Sequence, residues 1–181
     1  MKNIKMNSKD IIITRKNLDT TITKYWRIIN TENVMSKKAK ANGIGSGFDL
    51  NALYNNILQM SEKRIKIKLM LNAINNGITT FNYEEEKKKH YYTIFAACEE
   101  KEKLAHLQIL MKHTINPSEK AKKGLKGTGK TETFSSAKIT SMINKIQLKI
   151  NELDAKIAKF NDDTTIDITS ESDSFEDMLS A

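Results

Sequence analysis

The chain has 181 residues, 39% hydrophobic and 29% charged, with one proline, one cysteine and a formal net charge of +8. That length accommodates one domain, or one domain and a tail. A lone Cys98 excludes an intrachain disulfide framework and implies a reducing compartment. The longest apolar run, Ile94 to Cys98, is far short of the roughly 18 residues that span a bilayer. The basic start MKNIKMNSKDIIITR has three consecutive isoleucines, where a secretory leader carries about 7 to 15 apolar residues. A cytoplasmic protein with no membrane span is the resulting expectation.

The first helix is predicted to start after Asn7 or Ser8 and to run to about Ala41, with Leu18, Ile22, Tyr25 and Ile29 on one face and Trp26 alongside. Gly43, Gly45 and Gly47 end it. Asp49 is a plausible N-cap for the second helix, where Leu50, Leu53, Ile57, Met60, Arg64, Ile67, Leu71 and Ile74 recur at alternating intervals of three and four. Arg64 alone interrupts this apolar stripe. Tyr54, Leu58 and Ile65 widen it to what a bundle helix needs, and Asn76-Gly77 stops it. Asn82 with Glu85 forms a capping pair for a third helix running to about Thr114. Its predicted buried side is Tyr91, Ile94, Phe95, Cys98, Leu104, Ile109 and Met111. Pro117 forbids continuation. Residues 116–135 are rich in lysine and glycine and form a predicted flexible loop. A fourth helix starts near Ser135 or Ser136 and repeats Ile139, Ile143, Ile146, Ile150, Leu153, Ile157 and Phe160 in a narrow stripe, the pattern of an oligomer seam. The expected fold is all-α: an elongated antiparallel four-helix bundle over 1–161, followed by a disordered acidic tail over 162–181.

Charge divides the same way. Lysine outnumbers arginine 27 to 3, a bias that an AT-rich coding sequence imposes, and residues 162–181 hold seven acids and no lysine or arginine. The body therefore carries +15 and the tail −7. Within the tail, Phe175, Met178 and Leu179 lie beside Glu176 and Asp177, the make-up of a partner-docking peptide. In the loop, Lys120, Lys122, Lys123, Lys126 and Lys130 can neutralise phosphates without reading sequence. Scarce arginine and a single nearby ring, Phe134, argue against a dedicated nucleic-acid reader.

Gly124-Leu125-Lys126-Gly127-Thr128-Gly129-Lys130-Thr131 satisfies the phosphate-loop string G-x-x-x-x-G-K-[ST]. A working phosphate loop needs a buried strand before it, and Asn116-Pro117-Ser118-Glu119-Lys120-Ala121-Lys122-Lys123 cannot supply one. Gly43-Ile44-Gly45-Ser46-Gly47 could cradle an anion, but a helix-to-helix turn uses the same glycines. Glu86 with His90 and Glu102 with His106 lie four apart and are expected to be surface pairs. They lack the Glu-x-x-His spacing of a dimetal bundle, so no metal or cofactor is implied. Cys98 on an apolar face is expected to be a small core residue. No pair of acids and no Ser/His/Asp set singles itself out for catalysis.

From Leu18 to about Ile168 several short segments carry a resemblance. They are Asn76-Gly77-Ile78-Thr79-Thr80, then Glu102 and Leu104, then Ser135-Ser136-Ala137-Lys138-Ile139, and finally Asn151-Glu152-Leu153-Asp154-Ala155-Lys156-Ile157 with Asn161 and Thr164-Thr165. In this layout the chain resembles the septicolysin family of small helical bacterial and phage proteins. The family's name implies a pore-forming toxin, and the resemblance supplies no catalytic or binding residue. The basic loop and the acidic tail depart from it. The expected function is a non-enzymatic interaction or assembly protein, encoded by an AT-rich bacterium or its phage, self-associating through heptad stripes and contacting a further protein partner. The alternative is a nucleic-acid-associated protein using the five loop lysines, and a nucleotide binder comes third.

Overall fold

The computed structural model describes residues 6–33, 48–115 and 134–165. Among them 85% are helical and none is in a strand. In chain order the helices are α1 (Ser8–Glu32), α2 (Leu50–Asn75), the single turn α3 (Tyr83–Glu86), α4 (His90–Ile115) and α5 (Ser136–Asp163). No helix among the described residues is long and apolar enough to cross a membrane. The loop lysines Lys120 to Lys130, the phosphate-loop string, the glycines 43 to 47 and the tail residues Phe175, Met178 and Leu179 lie outside the described residues.

Local chemistry sets the helix starts. The Asn7 side chain accepts from the Asp10 amide, Asp49 from the Asn51 and Ala52 amides, and Ser135 from the Lys138 amide. Each satisfies a donor that the first helical turn leaves without an intrahelical partner. α2 stops where Gly77 adopts a φ of +72°. A Cβ built there meets nothing within 4 Å, so Gly77→Ala is strained by its backbone alone. Its expected cost is about 1 kcal/mol in urea unfolding.

The third predicted helix is two elements. After Tyr83–Glu86 the chain tightens, with Lys88 and Lys89 amides bonding three residues back to Glu85 and Glu86, and α4 restarts at His90. Three successive lysines stand at this break. Lys89 Nζ folds back 2.6 Å onto the buried Glu86 carboxylate, which holds the turn closed. α1 is described through Glu32 with its cap at Asn33, and the predicted extension to Ala41 lies outside the described residues.

α4 also presents a different face from the one predicted. Its buried residues are Ala96, Ala97, Glu99, Glu100, Lys103, Leu107, Leu110 and Thr114. Tyr91, Cys98 and Ile109 are exposed, and Ile94, Phe95, Leu104 and Met111 only half-buried. Cys98 is thus not a core residue. The inward stripe 96, 100, 103, 107, 110, 114 keeps the three-and-four rhythm but contains a glutamate and a lysine, which mask it when apolar residues alone are counted. In α2 the buried face drifts similarly, to Ile65, Leu69 and Ala73, leaving Ile74 at the surface.

Neighbouring helices run in opposite senses. On α4 and α5, His90 stacks on Phe160, Glu100 meets Lys149, and the ends Thr114 and Phe134 meet through Asn33. α1 lies against α2, with Trp26 edge-on to Tyr54 and Asp19 bonded to Arg64. Two apolar clusters result. The larger one gathers Trp26, Ile29, Ile57, Leu107, Phe134 and Ile139, and the smaller one Ile65, Leu69, Ala96, Ala97 and Leu153. On α5, Ile139, Ile146, Ile150 and Leu153 are at most 9% exposed, covered by the chain's own helices. Ile143 and Ile157 are half-buried, and Phe160 is 43% exposed. The chain's own helices thus cover four of the seven residues of the predicted seam.

At the end where α1 finishes and α5 begins, the buried Asn33 amide acts as a clamp. Its Nδ2 donates to Thr114 Oγ1 at 3.0 Å and to the Phe134 carbonyl at 2.9 Å, and its Oδ1 accepts from the Phe134 amide at 2.8 Å.

Candidate functional site: a charged layer between two cores

The two apolar clusters are separated by a layer of charge. On α2 it occupies Ser61 and Arg64, between Ile57 of one cluster and Ile65 and Leu69 of the other. On α4 it occupies Glu99, Glu100 and Lys103, between Leu107 and Ala97. Arg64, the interruption in the apolar stripe, is its centre. Nε lies 2.7 and 2.9 Å from the two carboxylate oxygens of Glu99. Nη2 donates to Glu99 at 2.5 Å and to Glu102 at 2.6 Å, and Nη1 to Asp19 at 2.9 Å. Lys68 adds a bond of 2.8 Å to Glu99. Three helices thus converge on one guanidinium. The planar five-donor fork of arginine suits this role, which the point charge of lysine does not.

On the α5 side, Glu100 accepts from Lys149 at 2.5 Å and from Lys103 at 2.8 Å. Burial pushes the Glu100 carboxyl up, but the hydrogen bonds and charges of the two lysines outweigh it and hold the group below its ordinary value. For Arg64 burial acts downward, and the hydrogen bonds it donates to Glu99, Asp19 and Glu102, with the Glu99 charge, more than reverse it. Burial, then the negative charge of Glu100, raises the Tyr54 hydroxyl. The layer is close to neutral, and Glu99 has both oxygens occupied by Arg64 and Lys68. Its chemistry is that of a fixed ionic joint, since its acceptors are already taken by its own donors.

The two expected Glu/His surface pairs are replaced by other contacts. Glu102 turns to Arg64. His106 stacks on Trp26, with ring centroids 4.9 Å apart and planes 9° from parallel. Glu86 bonds Lys89, and His90 lies flat on Phe160. Paired sequence spacing misleads here because each carboxylate has a cation closer at hand. His106 Nδ1 is buried without a hydrogen-bond partner among the described residues. Burial lowers its pKa, Arg64 lowers it further, and Glu102 opposes both. The unfolded chain therefore binds a proton more readily than the folded one. Stability is expected to fall as pH drops through the ordinary value of 6.5 and to stop falling below the depressed folded value. Urea midpoints at several pH values check this, with His106→Gln flattening the dependence.

Elsewhere, the Tyr83 hydroxyl donates to Glu62, tying α3 to α2, and burial, that bond and the Glu62 charge raise its pKa. A depression of about 360 Å³ between the start of α1 and the end of α2 is lined by Met6, Asn7, Ser8, Ile74, Gly77, Ile78 and Thr79. None of these side chains titrates. Among the described residues no three His, Cys, Asp or Glu side chains stand together as metal ligands.

Comparison with known proteins finds no family model, no curated protein and no solved structure that matches this chain.

Proposed function

We propose that the chain is a non-enzymatic helical assembly protein, built as an elongated antiparallel four-helix bundle with coiled-coil-like packing and an acidic tail, that works by associating with other copies of itself or with a protein partner. One observation carries this reading. α4 carries apolar side chains on two opposite sides, with charged residues among them on each. The inward side meets α5, α2 and α1, while Tyr91, Cys98 and Ile109 remain exposed on the outer side, with Ile94 half-buried among them. A helix in a self-sufficient bundle needs one apolar face, and a second, unpartnered one is the usual mark of an interaction surface. The charged layer supports the reading too, because buried polar groups placed between apolar layers fix the register of helices. The setting that goes with it is the bacterial cytoplasm or, for a phage-encoded chain, the host cytoplasm or the virion. Kinship with the septicolysin family belongs to the same proposal and adds no site residue.

The charge of +15 on residues 1–161 favours a second reading, in which Lys120, Lys122, Lys123, Lys126 and Lys130 bind nucleic acid phosphates. Sedimentation of the full chain over a wide concentration range tests the first reading, which expects a rise in mass with concentration. A monomer throughout, retained on DNA or RNA in a salt-dependent way, would replace the first reading with the second.

A further inference from the structure

α1 turns a cationic face away from the bundle. At about 100° per residue, Lys9, Lys16, Lys24 and Arg27 fall within an arc of about 80°, opposite the buried stripe Ile11, Ile22, Trp26 and Ile29. All four are exposed, and none forms an ion pair among the described residues. The acids of the helix stay off this face: Asp19 is taken by Arg15 and Arg64, Glu32 is buried, and Asp10 lies about 40° beyond the arc. The result is a straight ridge of positive charge about 27 Å long. α5 has more lysines but no such ridge, since Lys149 bonds Glu100, Lys138 bonds Asn51, and Glu152 stands among the others.

The chemistry of the ridge selects its partner. Thr20 lies within the arc and Thr23 at its edge, both exposed, and their hydroxyls are not spent on the carbonyl four residues back as those of Thr14, Thr21 and Thr31 are. Hydroxyls set among cations are phosphate ligands. A protein partner is held by buried aromatic or aliphatic anchors, for which the arc offers only Ile13. Single-stranded nucleic acid is held by stacking on rings, and the arc has none. A lipid surface takes up an amphipathic helix by its apolar face, which α1 spends on the larger cluster. A duplex needs none of these, because its backbone presents one negative charge per roughly 1.7 Å of axis and each neutralised phosphate releases a counterion. We infer that α1 docks along the phosphate backbone of duplex nucleic acid, with Lys9, Lys16, Lys24 and Arg27 as phosphate contacts and no base read. The inference shares its ligand class with the second reading above but not its residues, and it does not depend on self-association. Four contacts give weak binding, about 10⁻⁴ to 10⁻⁶ M near physiological salt, with log K falling against log salt at a slope of about −3.6.

Fluorescence anisotropy of a short labelled DNA duplex, titrated with the full chain at several salt concentrations, tests the ridge. Lys16→Gln/Lys24→Gln/Arg27→Gln should weaken binding about tenfold or more and lower the slope by roughly 2.7. Helicity should not change, since the three side chains are exposed and glutamine is a good helix former. Lys63→Gln/Lys145→Gln/Lys156→Gln removes the same charge from exposed sites on α2 and α5 and should leave the slope as it is. Lys16→Gln alone should lower it by about 0.9, a readout that does not need the triple variant to fold. Equal losses in the two triple variants would show attraction to net charge alone and overturn the ridge. Undiminished binding by the α1 variant, with loss when Lys120, Lys122, Lys123, Lys126 and Lys130 are changed to glutamine, would overturn it and leave the second reading standing. A wild-type chain that ignores the duplex at low salt would overturn both. Tighter binding to single strands or to anionic vesicles than to the duplex would overturn the choice of partner.

Discussion

Arg64→Met is expected to lower the unfolding free energy by about 3–5 kcal/mol, among the largest effects of any single substitution in this chain. Arg64 is 5% exposed and Glu99 1%. Removing the guanidinium strands the Glu99 carboxylate with only Lys68, and takes a donor from Asp19 and from Glu102. Most of the loss is therefore the cost of an uncompensated charge, not the worth of the joint itself. The second half of the experiment separates the two. Arg64→Met combined with Glu99→Leu removes both partners, and the double variant should recover most of the loss or exceed wild-type stability by about 1–4 kcal/mol. Urea unfolding of the four proteins of this cycle supplies the coupling energy. Additive effects of the two substitutions would show that the joint contributes no coupling. If the layer fixes register, the double variant should gain stability while its thermal transition broadens, because two apolar clusters fused into one can slide past one another.

Trp26→Ala is expected to cost about 3–5 kcal/mol. Trp26 is 1% exposed in the larger cluster, with Tyr54 edge-on at 5.9 Å and His106 stacked at 4.9 Å. Truncation leaves a cavity at the meeting point of α1, α2 and α4 and uncovers one face of the His106 ring. Circular dichroism in urea measures the loss, since the only tryptophan fluorophore is gone. The better-hydrated imidazole should also titrate nearer its ordinary value, visible in the His106 ring resonances. Trp26→Phe keeps an aromatic surface against His106 and should lose less.

Helix boundaries are legible in the sequence wherever one residue type does one local job. Asn7, Asp49, Asn82 and Ser135 cap as their chemistry dictates, and Gly77 ends α2 with the positive φ that its lack of a side chain permits. Orientation is legible where the buried face is wholly apolar, as on α5. It is not on α4, because the criterion of apolar periodicity counts Glu100 and Lys103 as solvent-facing, while here they are buried against each other and Lys149 reaches Glu100 from the surface of α5. Arg64 stands out as an interruption in an apolar stripe, and as one of three arginines in a lysine-rich chain. Its partners do not, since Asp19 and Glu99 lie 45 and 35 residues away on other helices and only folding selects them. The outer stripe of α4 is plain in the sequence, yet apolar periodicity alone assigns it to the interior. Periodicity finds the residues and mistakes the side of the helix.

The Asn33 clamp determines where this chain can change length. By joining Thr114 to Phe134 across the end of the body, it holds both flanks of residues 116–133 with bonds that belong to the folded helices. The body therefore does not depend on that intervening segment to bring its ends together, and doubling the segment would cost only about 0.6 kcal/mol of closure entropy. Insertions, tags or whole foreign peptides between α4 and α5 should be tolerated at little expense, while one misplaced residue at position 33 disturbs three chain ends at once.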